Sequence, residues 1–344
     1  MSEVQFRRWN PKENMVEAFE EFLKKSDSLT VINKGDLVAI KLHPGELGTP
    51  YYIKPIYVRK LVEKIREAGG KPFLTDTTTL YTGKRHDALD LLQTVDAHGL
   101  GLGSVGAPFV VADGVKGGEG VQVKTSGIVK TVGVAPIFGE VDSMVVLIHV
   151  KGHGLAGIGG AIKQLGMGCV DKKTKLAAHR TVDLKVDHDK CTGCGTCLKI
   201  CRDKIPRIEN GKAYMDSPLC MRCPYCQSAC PTQAISLINR ENLQKALAAT
   251  TQGVLKVVRR DKICFIGFAI DITRLCDCTP APGPRIRDDV GILASFDPVA
   301  IDNAAIDLIS EPLIMQHNGV SPRIQVKEAQ RLGIGKTDYS LTEL

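Results

Sequence analysis

Cys191-Thr192-Gly193-Cys194-Gly195-Thr196-Cys197-Leu198-Lys199-Ile200-Cys201 is answered, nineteen residues on, by Cys220-Met221-Arg222-Cys223-Pro224-Tyr225-Cys226-Gln227-Ser228-Ala229-Cys230-Pro231. Both runs follow the bacterial ferredoxin spacing, in which the fourth cysteine of each run ligates the other cluster. Three thiolates on a tight loop can hold three corners of an iron–sulfur cube, while the fourth points across to its partner. The spacing therefore predicts two 4Fe–4S clusters. One would be held by Cys191, Cys194, Cys197 and Cys230, the other by Cys220, Cys223, Cys226 and Cys201. The only departure is Arg202, which follows Cys201 where the usual run has proline. Four-cysteine zinc also uses Cys-x-x-Cys pairs, but as two separated pairs rather than a fourfold run repeated twice. A disulfide framework fits poorly, because a chain of this length needs no staples and Met1 to Pro11 lacks an apolar signal core.

Outward from that stretch, composition describes an ordinary globular protein. The 344 residues suffice for about two domains, with 43% hydrophobic and 24% charged residues. No apolar run approaches a membrane span. The formal charge of +7 is modest, and no basic block interleaved with aromatics favours nucleic acid. A basic surface suits an acidic redox partner protein or a small anionic substrate. Twelve cysteines, eight of them in cluster spacing, point to a reducing cytoplasm and an anaerobic or microaerobic host.

Before the cysteine module, the pattern alternates strand and helix. A helix is expected from Pro11 to about Lys25, then a strand at Leu37 to Leu42. Lys54-Pro55 opens a second helix that Gly69-Gly70 stops. A strand from Pro72 ends in Asp76, a helix covers Ala88 to Ala97, and strands follow at Phe109 to Ala112 and Met144 to Val150. Gly152 to Gly160 reads as a glycine-rich strand-to-helix turn, followed by a helix through Ile162 and Leu165. After the module come a helix at Asn242 to Ala249, strands at Ile263 to Ile270 and Val290 to Leu293, and a helix from Pro298. This predicts an α/β fold, a mainly parallel sheet with helices on both faces. The cysteine module is inserted in it: residues 1–185 and 239–344 form the host, and 186–238 the ferredoxin-like module.

Gly101-Leu102-Gly103-Ser104-Val105-Gly106 matches the dinucleotide fingerprint in letters but follows a helix and precedes a strand, the reverse of what phosphate binding requires. The turn from Gly152 to Gly160 has the right flanks. It could offer an anion the helix N-terminus, or merely need glycine's backbone freedom. Four cysteines lie outside the cluster runs. Cys264, in an apolar strand, reads as a small core residue. In Cys276-Asp277-Cys278 an extended backbone would aim both thiols the same way, as a soft-metal clamp needs. With Cys169, and with His153 or His179, that pair could form a third metal or cluster site. A redox-labile thiol pair is the plainer alternative.

Several blocks resemble a family of uncharacterised Fe–S centre proteins, a domain of unknown function (DUF362) fused to a two-cluster ferredoxin module. They include Lys151-Gly152-His153, Gly157 to Lys163, Gly166-Met167-Gly168-Cys169, Pro72 to Thr77 and the Cys276 segment. Asp289 to Ser295 running into Asp297-Pro298 completes the set. The resemblance implies the same α/β host with an inserted ferredoxin module, and no settled activity. In layout alone the chain is similar to the nickel-pincer lactate racemase superfamily. The blocks fall at strand ends, where open α/β sheets bind ligands. His153, Lys163 and Asp76 are thus the candidate catalytic residues, with Thr77, Tyr81, Ser295 and Asp297 also at strand ends; Asp297 could equally be only a helix cap. The function expected is single-electron transfer through two clusters to a substrate or metal site on the α/β domain. The alternatives are a non-catalytic carrier and a metallocentre-assembly protein.

Overall fold

A computed structural model describes residues 1–344. Eight strands form one sheet: β1 (Ser2–Arg8), β2 (Leu37–Lys41), β3 (Lys71–Asp76), β4 (Phe109–Val111), β5 (Ser143–His149), β6 (Ile263–Ala269), β7 (Gly291–Ser295) and β8 (Tyr339–Glu343). Their spatial order is β8-β1-β7-β6-β5-β2-β3-β4. Neighbours from β4 through β6 pair in parallel, while β7 runs antiparallel to both β6 and β1. The fold is α/β with a mainly parallel sheet.

Strand period explains the layering. Val145 and Leu147 of β5 face one helical layer: α1 (Met15–Lys25), α2 (Pro55–Glu67) and α3 (Ala88–Ala97). Met144, Val146 and Ile148 face the other: α4 (Ala161–Gly168), α5 (Lys172–His179), α6 (Glu241–Val254), α7 (Pro298–Ile309) and α8 (Arg323–Arg331). Successive side chains of a strand point to opposite faces, so a continuously apolar strand signals cover on both sides. No helix is long and apolar enough to cross a membrane.

Strands contributed from before and after the cysteine module share this sheet. The module itself is closed at its base by Asp183–Val186 pairing with Ile235–Ile238, and a ribbon of Arg207–Glu209 with Lys212–Tyr214 lies between its halves. It packs a small core of its own around Cys191, Cys197, Ala213, Cys226 and Ala234.

Three sequence expectations change. The first helix begins at Met15, not Pro11, because Asn14 caps it, accepting from the Val16 and Glu17 N–H groups at 3.1 and 3.4 Å; strand β1 precedes it. Residues Lys151–His153 and Gly157–Gly159 pair as a small hairpin rather than a loop. The Gly101 segment follows α3 and precedes β4, as expected, and forms a short helix, Leu102–Val105, closed by Gly106. And because β7 is antiparallel, Ser295 and Asp297 lie at the sheet edge opposite the carboxyl ends of β2, β3 and β5. There Ser295 Oγ donates to the Glu3 carbonyl, and Asp297 caps α7 through the Val299 and Ala300 N–H groups.

From β2 the chain continues outward to β3 and β4, whereas β5 lies on its other side and leads to β6. The crevice beyond the carboxyl ends of β2 and β5 is thus a topological switch point, where open α/β sheets bind ligands. His43, His149 and Asp76 sit at that edge.

Candidate functional site

Within the module, the two cysteine runs adopt the same local structure. Thr196–Ile200 and Tyr225–Ala229 are matching single-turn helices, each ending on the fourth cysteine. Cys201 has φ −73° and ψ 116°, and Cys230 has φ −73° and ψ 113°. Arg202 in place of proline therefore leaves the turn unchanged. Gly193 permits the tight loop: its φ is +68°, and a Cβ there would meet the Gly211 carbonyl oxygen at 2.5 Å.

Cys191, Cys194, Cys197 and Cys230 surround one small cavity, lined otherwise by Gly, Thr, Ala, Pro and Ile, with no carboxylate or lysine. Donors reach the sulfurs. The Ala213 N–H points at Cys191 Sγ at 3.4 Å, and the Thr196 hydroxyl lies 3.3 Å from Cys194 Sγ. That hydroxyl is the main cause holding the Cys194 thiol below its ordinary pKa. Cys201, Cys220, Cys223 and Cys226 line a second, larger cavity, and the Ile205 N–H points at Cys201 Sγ at 3.5 Å. All-thiol donor sets with N–H and O–H groups aimed at sulfur fit iron–sulfur cubes.

The second cavity, of about 260 Å³, does not stop at the module. Its other wall belongs to the α/β host: Asp76, His153, Lys163, His179, Cys276 and Cys278 line it. Most sequence-chosen residues thus converge on one space, facing Cys201 and its three companions.

The Cys276-Asp277-Cys278 loop is pinned by its middle residue. Asp277, 4% exposed, accepts from His149 Nδ1 at 2.9 Å and forms a close ion pair with Lys151. Burial alone would raise its pKa; His149 and Lys151 outweigh that and hold it well below the usual carboxylate range. Its carbonyl accepts from the Glu46 N–H at 2.7 Å, and the Cys278 carbonyl accepts from the Tyr81 hydroxyl at 3.0 Å. Tyr81 is held in turn by Arg85, itself paired with Glu46 at 3.1 Å. With Asp277 anchored inward, the flanking sulfurs are left to the cavity, where they are joined as a disulfide with Cα atoms 5.4 Å apart.

Around the sulfurs the groups are mainly donors. Lys163 Nζ lies 3.8 Å from Cys276 Sγ. Burial, then the charge of Arg85, lowers its pKa to about 8. His153 Nδ1 accepts from the Leu155 and Ala156 N–H groups at 3.2 and 3.0 Å, so its proton sits on Nε2. Burial, then Lys163, keeps that ring neutral. His43 Nδ1 likewise accepts from the Gly45 N–H at 3.0 Å, again leaving a proton on Nε2. His179 Nδ1 is buried without a partner, and burial lowers its pKa to about 4. Asp76 pairs with Lys41 at 2.9 Å beneath this wall.

Two expectations about this site need correction. Cys169 does not join the sulfurs: a ring nitrogen of His153 and the Cys276 and Cys278 sulfurs gather within 4.8 Å, without Cys169 or His179. Cys169 ends α4 inside the apolar core, where burial pushes its thiol up to about 12. Nor is the N-terminus of α4 open to an anion. Asp302 already accepts from Ala161 N–H at 2.6 Å and Ile162 N–H at 3.0 Å. A Cβ on Gly160 would collide with that carboxylate, so this glycine serves close packing. The residues that sequence reasoning missed are His43, Glu46, Arg85 and His149. His149 ends β5 and His43 lies two residues beyond β2, so the strand-end rule could have found them.

The family model for DUF362, a domain of unknown function, matches residues 38–307. The chain belongs to the DUF362 family. Two relatives from Methanocaldococcus jannaschii match over short stretches. One is an uncharacterized ferredoxin, 46% identical over 59 residues, which are 16% of this chain and 75% of that protein. The other is pyruvate synthase subunit PorD, 33% identical over 70 residues, 20% of this chain and 81% of that protein. This DUF362 chain therefore carries a ferredoxin-like iron–sulfur module. Among solved structures, the lactate racemase apoprotein of Thermoanaerobacterium thermosaccharolyticum aligns with TM-score 0.41 and 13% identity over 79% of this chain. The chain spans about half of that racemase (51%), a likeness that carries no function with it.

Proposed function

We propose that this DUF362 protein is an iron–sulfur redox protein in which two 4Fe–4S clusters serve a reaction site on the α/β host. Cys191, Cys194, Cys197 and Cys230 would hold one cluster, and Cys220, Cys223, Cys226 and Cys201 the other. When bound, such clusters supply electrons one at a time. The observation that carries the reading is the shared cavity: the four thiols of the second set line the same space as His153, Lys163, Cys276 and Cys278.

The host residues then have separable tasks. Lys163 and the protonated Nε2 atoms of His43 and His153 present positive charge and N–H donors, which suit a small anionic or carbonyl-bearing substrate. Asp277, held by His149 and Lys151, fixes the Cys276 loop. Asp76 keeps Lys41 paired below the cavity floor. A protein that only carried electrons would need no polar chamber beside the cluster of Cys201, Cys220, Cys223 and Cys226. A redox partner protein would deliver electrons at the module.

A second reading, metal handling, rests on His153, Cys276 and Cys278 lying within 4.8 Å of one another. Anaerobic purification with iron, sulfide and trace-metal counts per chain separates the two. Iron and sulfide alone support the redox reading; a further stoichiometric metal, lost when Cys276 and Cys278 become serine, supports metal handling.

A further inference from the structure

We infer that Cys276 and Cys278 form a redox-active dithiol–disulfide pair, the two-electron terminus of the path that enters through the cysteine module. This deepens the redox reading above and rests on it.

Geometry separates this pair from the other spare thiols. Cys264 and Cys169 are buried in apolar core with no partner sulfur. Cys276 and Cys278 are joined to each other and line the cavity that Cys201, Cys220, Cys223 and Cys226 also line. Their Cα separation of 5.4 Å lies in the range a disulfide tolerates. Their loop is fixed at three places: the Asp277 carboxylate, the Asp277 carbonyl and the Cys278 carbonyl. The sulfurs can therefore part and rejoin without the backbone being rebuilt. Lys163 Nζ, 3.8 Å from Cys276 Sγ, is the cation that favours a thiolate at that sulfur.

The protonation of His153 tells against a metal clamp. Its Nδ1 is taken by two backbone N–H groups, and its Nε2 carries the proton. A metal would have to displace those hydrogen bonds at Nδ1 or strip the proton from Nε2. Neither obstacle applies to a dithiol.

The chemistry balances simply. Reduction breaks the Sγ–Sγ bond, consumes two electrons and two protons, and leaves two thiols. The electrons come singly from an external low-potential one-electron donor by way of the module. Lys163 Nζ, beside Cys276 Sγ, delivers one proton, solvent supplies the other and reprotonates the lysine, and the neutral His153 keeps its Nε2 proton. Reoxidation re-forms the Sγ–Sγ bond and passes both electrons and two protons to a two-electron acceptor in the cavity, a disulfide that is cleaved to two thiols or a comparably reducible small molecule.

The test uses full-length, anaerobically purified protein. Iron and sulfide are counted first, which judges the cluster reading by itself. The protein is then oxidised with thionine and titrated with dithionite, with denaturing alkylation and peptide mass analysis before and after. The wild type should take up about four electrons per chain, one for each cluster and two for the disulfide. The Cys276→Ser, Cys278→Ser variant should take up about two with its iron content intact. The peptide bearing Cys276 and Cys278 should be unlabelled when oxidised and doubly labelled when reduced. Should iron be missing, dithiothreitol replaces dithionite and the same mass shift judges the pair alone. Equal electron uptake by both proteins, labelling of both thiols in the oxidised state, or a stoichiometric metal lost in the variant overturns the inference.

Discussion

Replacing Asp277 with alanine isolates the anchor of the cavity loop. In the native protein its carboxylate meets Lys151 and His149, and all three side chains are at most 5% exposed. The substitution leaves the Lys151 ammonium in the interior with only the Tyr51 carbonyl, at 2.9 Å, as partner. Removing one member of a buried pair typically costs about 3–5 kcal/mol, because the other charge is stranded. With unfolding entropy scaling with chain length, a chain of this size should lose roughly 1.4 °C of Tm per kcal/mol, hence about 4–7 °C. Thermal unfolding of the cluster-loaded protein near neutral pH reads this directly. Adding Lys151→Met removes the stranded charge and should recover part of the loss, so the double variant should be more stable than the two single effects added together. A Tm within about 1 °C of wild type for Asp277→Ala, or strictly additive losses, would refute the anchoring role; the threshold is well below the cost of a stranded charge.

Other outcomes follow from the same geometry. Cys230→Ala should damage the cluster held by Cys191, Cys194 and Cys197, and Cys201→Ala the other; each variant should keep about four of eight irons, and loss from its own run instead, read by spectroscopy of paired variants, would undo the crossed assignment. Burial raises the Asp302 pKa to about 7, above its unfolded value of about 3.9. Its contribution to stability is therefore complete below about pH 4 and lost as pH rises toward 7. Denaturant unfolding across pH 4–8 should show that decline in wild type, reduced in Asp302→Asn; parallel profiles would contradict it. Residues 1–180 expressed alone lack β6, β7 and β8 and should be insoluble or molten, whereas a cooperatively unfolding fragment would show the host to be continuous.

Much of this was legible because the signals are local. Cysteine spacing marked eight positions that the fold gathers around two cavities, since three thiols of each set lie on one short loop. Apolar runs at β2, β5 and β6 announced a sheet covered on both faces, and Asp297 announced the α7 cap. What escaped was non-local. Strand direction is not written in a strand, so the antiparallel placement of β7 took Ser295 and Asp297 to the wrong edge for the expected site. β8 is an edge strand and β1 lies beside it, both with weak apolar content, so neither the strands nor their pairing was announced. Asp302 comes from a distant helix to occupy the N-terminus of α4, and nothing near Gly160 foretells it. The anchors of the Cys276 loop, His149 and Lys151, lie more than a hundred residues before it. Only the sheet brings them together.

The proposed function rests on two four-iron clusters in the cysteine module, one of them open on the α/β chamber. Iron, acid-labile sulfide and zinc counted per chain in anaerobically purified full-length protein, beside its visible absorption, test it most directly. About eight irons and about eight sulfides are expected, with sulfur-to-iron charge-transfer absorption and no stoichiometric zinc. Zinc bound in their place, with no such absorption, would contradict it.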